Sequence, residues 1–89
     1  MEAPLTDSAV RVLQAIRERA MDGYTVMQRA RVEPPELSAA LIDLQSRGAV
    51  SIKGDVSPDR VGESYLSVPP SSLGYVDFLL GRVRFPSMR

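Results

Sequence analysis

The sequence predicts one mainly α domain: a three-helix core, a two-stranded antiparallel β wing and a C-terminal helix. Three observations predict it. Apolar residues recur at helical spacing in separate segments, at Ala9, Val12, Leu13 and Ile16, at Leu37, Leu41 and Leu44, and at Leu73, Val76 and Leu80. Two short stretches alternate apolar and polar residues instead, around Val50–Ile52 and Ser64–Val68. Glycine and proline separate these segments at Gly23, Pro34-Pro35, Gly48, Gly54 and Pro69-Pro70.

The first helix is expected from Thr6 to Met21. Thr6 suits an N-cap, and Asp7 and Ser8 suit the first turn, where the macrodipole favours negative charge. Ala20 continues the apolar face, while Arg11, Gln14, Arg17 and Glu18 fall mostly opposite. Met1 to Leu5 is expected to be a loose lead-in, since Pro4 disfavours helix at Ala3. Asp22-Gly23 reads as a helix stop. Tyr24 and Thr25 suit a very short strand, and Thr25 also suits a cap for a second helix from Val26 to Arg31. That helix turns Met27 and Ala30 inward, and Val32 returns to the core.

Glu33-Pro34-Pro35 is a turn, with Pro35 at the first position of a third helix that ends at Arg47. Proline fits there because its missing N–H has no helical partner to lose. Gly48 then suits the left-handed position after a helix. The polar segment from Gly54 to Gly62 is a loop, so the strands on either side form a wing. Ser71 or Ser72 caps a last helix, about Ser72 to Val83, which Phe85-Pro86 ends. Its Tyr75, Phe78 and Leu79 widen the apolar surface beyond one stripe. The expected ordered core spans about 6–84 of a single domain covering 1–89.

Composition narrows the function classes. Eleven basic residues balance eleven acidic ones, which counts mildly against a dedicated nucleic-acid binder. There is no cysteine, hence no disulfide, thiol nucleophile or thiolate metal site. There is no histidine, which removes the usual general base and the commonest metal ligand. Neither a nucleophile elbow nor an evident pair of carboxylates is visible, so no enzyme, cofactor or metal is expected. No apolar run approaches transmembrane length, and the first ten residues lack a signal-peptide pattern. The expectation is a cytoplasmic protein.

The segment from Gly23 to Lys53, and within it Leu37-Ser38-x-x-Leu41-x-x-Leu44-x-x-x-Gly48-x-Val50, resembles the turn-to-wing part of winged helix-turn-helix regulators. The MarR-like group is the most similar. Pro58-Asp59-Arg60, followed by Tyr65-Leu66-Ser67-Val68, looks like that group's Asp-x-Arg wing and returning strand. The resemblance covers nearly the whole chain. It implies a small DNA-binding transcriptional regulator, with Ser38 at the groove and with Arg29, Arg31, Lys53 and Arg60 on phosphates. It also implies a homodimer built through terminal helices, here using Tyr75, Phe78 and Leu79.

The chain departs from this pattern where the family often carries basic side chains. Those positions hold Ala39, Ile42 and Asp43. Val32 to Gly48 sets Glu33, Glu36 and Asp43 against Arg47 alone, a net charge of −2. Acidic side chains facing phosphate forfeit the counterion-release contribution to affinity. The alternative is a protein-interaction or assembly module that does not bind DNA. Ile42, with Ala39 and Pro35, then forms an exposed interface, unless Ile42 tilts into the core beside Leu41 or is one harmless exposed aliphatic. The cations likewise have an alternative as solvated scatter offset by Asp55, Asp59 and Glu63. The partner is accordingly either double-stranded DNA or a protein.

Overall fold

A computed structural model describes residues 4–81. It contains helix α1 (Asp7–Glu18), strand β1 (Met21–Asp22), helix α2 (Gly23–Ala30), helix α3 (Pro34–Ser46), strands β2 (Ser51–Lys53) and β3 (Tyr65–Ser67), and helix α4 (Leu73–Leu79). Single 3₁₀ turns at Val61–Glu63 and Pro70–Ser72 precede β3 and α4. The molecule is mainly helical with a small antiparallel sheet, as the periodicities predict.

The helix ends have local causes. Thr6 Oγ1 accepts the Ala9 N–H at 3.1 Å and starts α1. The helix stops at Glu18, earlier than expected, and Ala20 is exposed outside it. The next two residues pair with β3 instead, Met21 opposite Leu66 and Asp22 opposite Tyr65. The sheet therefore has three strands, in the order β1-β3-β2, with the early strand added to the two expected in the wing. The early strand is not at Tyr24-Thr25; those residues already belong to α2.

Gly23 opens α2 rather than closing α1. A Cβ placed on it would lie 2.0 Å from the Val61 carbonyl oxygen, and its N–H donates to Ser64 O at 2.9 Å. The glycine is thus required by close backbone approach, not by a left-handed turn. Asp22, not Thr25, is the N-cap: its carboxylate accepts the Thr25 N–H at 3.4 Å and the Thr25 hydroxyl at 2.6 Å. The Thr25 hydroxyl is the first cause that holds the Asp22 carboxyl below its ordinary pKa. Helix α3 begins one residue before the expected Pro35, with Pro34 in its first turn. Gly48 closes it at φ 78°, as its position predicts.

One core joins these elements. Leu13 and Ile16 of α1, Leu37, Leu41 and Leu44 of α3, and Leu66 of β3 are buried together. Ile52 packs against this cluster but is only partly buried. Val12, Val26, Ala49, Val61 and Val76 complete the interior. Each fully buried Leu, Ile or Val contributes about 1.5–3 kcal/mol. Leu5 also packs against the core, so the expected loose lead-in is anchored there. Helix α4 stops at Leu79, short of the expected end, and Gly81 lies at φ 71°. Val83 and Phe85-Pro86 fall outside the described residues. Among the described residues, no helix is long and apolar enough to cross a membrane.

Candidate interaction surface

The core-facing stripe of α3 leaves the opposite face to solvent. Pro35, Ala39, Ile42 and Ser46 are all exposed and recur at i, i+4, i+7 and i+11, so they line one side of the helix. Ile42 is 55% exposed, so it does not tilt into the core beside Leu41. Ser38 is 6% exposed and belongs to the inner side. Its side chain is withdrawn from the face where the resemblance places a base contact.

Two carboxylates border this apolar stripe. Glu36 Oε1 accepts the Glu33 N–H at 2.9 Å, and Glu36 Oε2 accepts the Ser8 hydroxyl at 3.2 Å. The Glu33 N–H first, then the Ser8 hydroxyl, hold the Glu36 carboxyl below its ordinary pKa, so it is ionised at neutral pH. Asp43 Oδ1 accepts from Arg47 Nε at 3.1 Å, one turn along the same helix. That pair occupies the cation nearest to Asp43 in sequence, the residue that caps α3. A groove of about 340 Å³, lined by Thr6, Ser8, Glu36, Ala39, Ala40 and Asp43, runs between the start of α1 and α3. Its lining joins the two alanines to both acids.

The expected phosphate contacts lie elsewhere. Arg29 is exposed in the last turn of α2, Lys53 ends β2, and Arg60 sits in the turn before the first 3₁₀ segment. Arg31 follows α2 at φ 57°, ψ 52°, and its N–H donates to Met27 O. It is the one non-glycine residue with positive φ among those described. A left-handed conformation costs an ordinary L-residue roughly 1–2 kcal/mol. Among the described residues, none of the four cations takes part in an ion pair. All are exposed.

The three aromatic and aliphatic candidates on α4 separate. Tyr75 and Leu79 are partly buried against their own core, and Phe78 is 56% exposed. Sequence reasoning missed how α4 is held. Arg17 Nε and its terminal nitrogen donate to the two Asp77 carboxylate oxygens at 2.7 and 3.1 Å, a bidentate pair between α1 and α4. Sixty residues separate the partners, and no local signal announces them. The Asp22 cap is different: its spacing to Thr25 is a recognisable N-terminal pattern.

Comparison of the chain with protein-family models, with curated proteins and with solved structures finds no match.

Proposed function

We propose that this chain is a winged helix-turn-helix domain that docks protein, not DNA bases, on the exposed face of α3. The order α1-β1-α2-α3-β2-β3 and the strand order β1-β3-β2 support the fold reading. One observation carries the functional reading: Pro35, Ala39 and Ile42 present an apolar stripe bordered along one side by Glu36 and Asp43. A base-reading helix needs donors aimed at base edges and positive charge toward phosphate. This face supplies neither.

The same chemistry defines the partner. An apolar stripe with an acidic rim complements an amphipathic segment that carries aliphatic side chains and basic flanks. Ile42 would be the central anchor, and the groove beside Ala39 would take a neighbouring aliphatic side chain. The test uses a designed Leu- and Lys-rich amphipathic peptide as probe. Titrated against the labelled protein, it should shift the amides of Ala39, Ile42 and Asp43 saturably, and Ile42→Glu should remove the response. An unchanged spectrum, or equal binding by Ile42→Glu, overturns the proposal.

A second reading has its own support. Arg31 keeps a strained backbone in the turn before α3, where glycine would be unstrained. Strain retained at an exposed arginine fits a side chain that must be presented to a ligand. With Arg29, Lys53 and Arg60 it would grip duplex phosphates with little dependence on sequence. In that case Asp43→Lys strengthens binding, and Lys53→Ala with Arg60→Ala abolishes it. Self-association through α4 is a separate proposal, seated on Phe78. Sedimentation at micromolar concentration should give a dimer that Phe78→Ser dissociates; monomer alone for the unmodified chain rejects it.

A further inference from the structure

We infer that the partner of the α3 face is an α-helix laid antiparallel to α3, with an aliphatic stripe beside Ile42 and a cationic C-terminal turn over the acidic beginnings of α1 and α3. This rests on the reading of α3 as a protein-docking face and adds the partner's conformation and its direction.

The conformation follows from backbone hydrogen bonding. A buried N–H or C=O needs a partner, and α3 has none to offer. Its interior groups bond along the helix, Pro34 and Pro35 have no N–H, and the Glu36 N–H is taken by the Glu33 side chain. At its other end, Arg47, Gly48 and Ala49 donate to the carbonyls of Asp43, Gln45 and Leu44. The free strand edges belong to β1 and β2, not to this face. An extended segment pressed on α3 would bury backbone groups without partners, whereas a helix satisfies its own. The stripe also has the dimensions of a helix seat. Pro35 to Ser46 covers about 16 Å along the axis, about three turns. Its relief is uneven: Ile42 stands out at 55% exposure, while Ala39 is short and lines the groove toward α1. Aliphatic side chains at i and i+4 of a partner helix form a ridge that fits beside Ile42 and over Ala39.

The direction follows from charge. Asp7, Glu33 and Glu36 are exposed where α1 and α3 begin. The Ser8 hydroxyl, donating to Glu36 Oε2 at 3.2 Å, ties these two beginnings together. The Glu33 N–H and the Ser8 hydroxyl that donate to Glu36 are neutral and leave its charge in place. Arg11 of α1 offsets part of this charge, its Nε lying 3.8 Å from Asp7 Oδ2. Farther along α3, Asp43 is already engaged by Arg47 at 3.1 Å. Negative charge is therefore concentrated at the N-terminal end of the stripe. Lysine and arginine are most favourable in the last turn of a helix, where they oppose its macrodipole. A partner helix that meets these carboxylates with its own last turn runs antiparallel to α3.

The experiment titrates the isotope-labelled full chain with three leucine- and lysine-rich peptides of equal composition, followed by amide NMR. One is locked as a helix with its lysines in the last turn, the second is locked with its lysines in the first turn, and the third is linear with a central proline. The first should shift the Ala39 and Ile42 amides saturably, the second should bind about threefold more weakly, and the proline peptide should lose the response. A nitroxide on the C-terminus of the first peptide should broaden the Glu36 amide and spare that of Ser46. Equal binding by the proline peptide overturns the helix and leaves α3 as a docking face. Broadening at Ser46 instead of Glu36 overturns the direction. Absence of shifts with all three overturns both this inference and the reading on which it rests.

Discussion

At the scale of single residues, the fold depends on a few positions where volume or backbone leaves no latitude. Leu41 is fully buried at the centre of the α3 stripe. Leu41→Ala removes a buried isobutyl group and leaves a cavity, and should cost about 2–5 kcal/mol. In a domain this small that is a large share of the total, and chemical denaturation will read it directly. Gly23→Ala should be as damaging for another reason. The new methyl meets the Val61 carbonyl at 2.0 Å, so β1, α2 and the turn before β3 must move apart. Arg31 predicts the opposite sign. Arg31→Gly relieves a left-handed arginine and should raise stability by up to about 1 kcal/mol, seen as a higher melting temperature. A loss of stability there would mean that the side chain, not the backbone, dominates at this turn.

At the scale of elements, helix α4 is seven residues long and has one fully buried side chain, Val76. Such a helix is marginal without tertiary support. The Arg17–Asp77 pair supplies a fixed point on α1. The Asp77 hydrogen bond is the first cause that raises Arg17 above its ordinary pKa. Asp77→Asn should loosen α4 selectively: the Val76 to Leu80 amides should exchange faster while those of α3 keep their protection. Acid should act on the caps. Asp22, Glu36 and Asp55 are held below their ordinary values, first by the Thr25 hydroxyl, the Glu33 N–H and the Ser57 N–H respectively. The unfolded chain therefore takes up protons at higher pH than the folded one. Their contribution is fully present above the ordinary carboxylate range and is lost as pH falls through the depressed folded values. Thermal midpoints should stay level down to about pH 5 and fall below about pH 4. A fall between pH 8 and 6 would contradict this assignment.

The elements also mark how far the sequence could be read. Helices α1 and α3 were legible because Leu13, Ile16, Leu37, Leu41 and Leu44 hold strict helical spacing over several turns. Strand β1 was not, because two residues carry no periodicity and exist as a strand only through pairing with Tyr65 and Leu66. Gly23 misled for a related cause: local rules read glycine as a stop, whereas the Val61 carbonyl, far along the chain, requires it. On the candidate surface, the acidic, apolar character of α3 was legible residue by residue. The exposure of Ile42 and the burial of Ser38 were not, since both depend on how α3 rotates against α1.

At the scale of the whole molecule, the exposed cations and the exposed face of α3 stand on different elements. Arg29, Arg31, Lys53 and Arg60 stand on α2, its following turn and the segment from β2 to β3, while α3 shows Pro35, Ala39 and Ile42 with Glu36 and Asp43 along one side. A DNA reader gains affinity by bringing both to one duplex, and its non-specific binding alone has a dissociation constant of about 10⁻⁴–10⁻⁶ M at physiological salt. The most direct test is a fluorescence-anisotropy titration of a labelled mixed-sequence duplex with the full chain at low salt. The account predicts no saturable rise even at protein concentrations of about 10⁻⁴ M, where low salt should favour any phosphate contact. Saturable binding that weakens steeply with added salt, and that Lys53→Ala with Arg60→Ala eliminates, would contradict it and assign the domain to DNA.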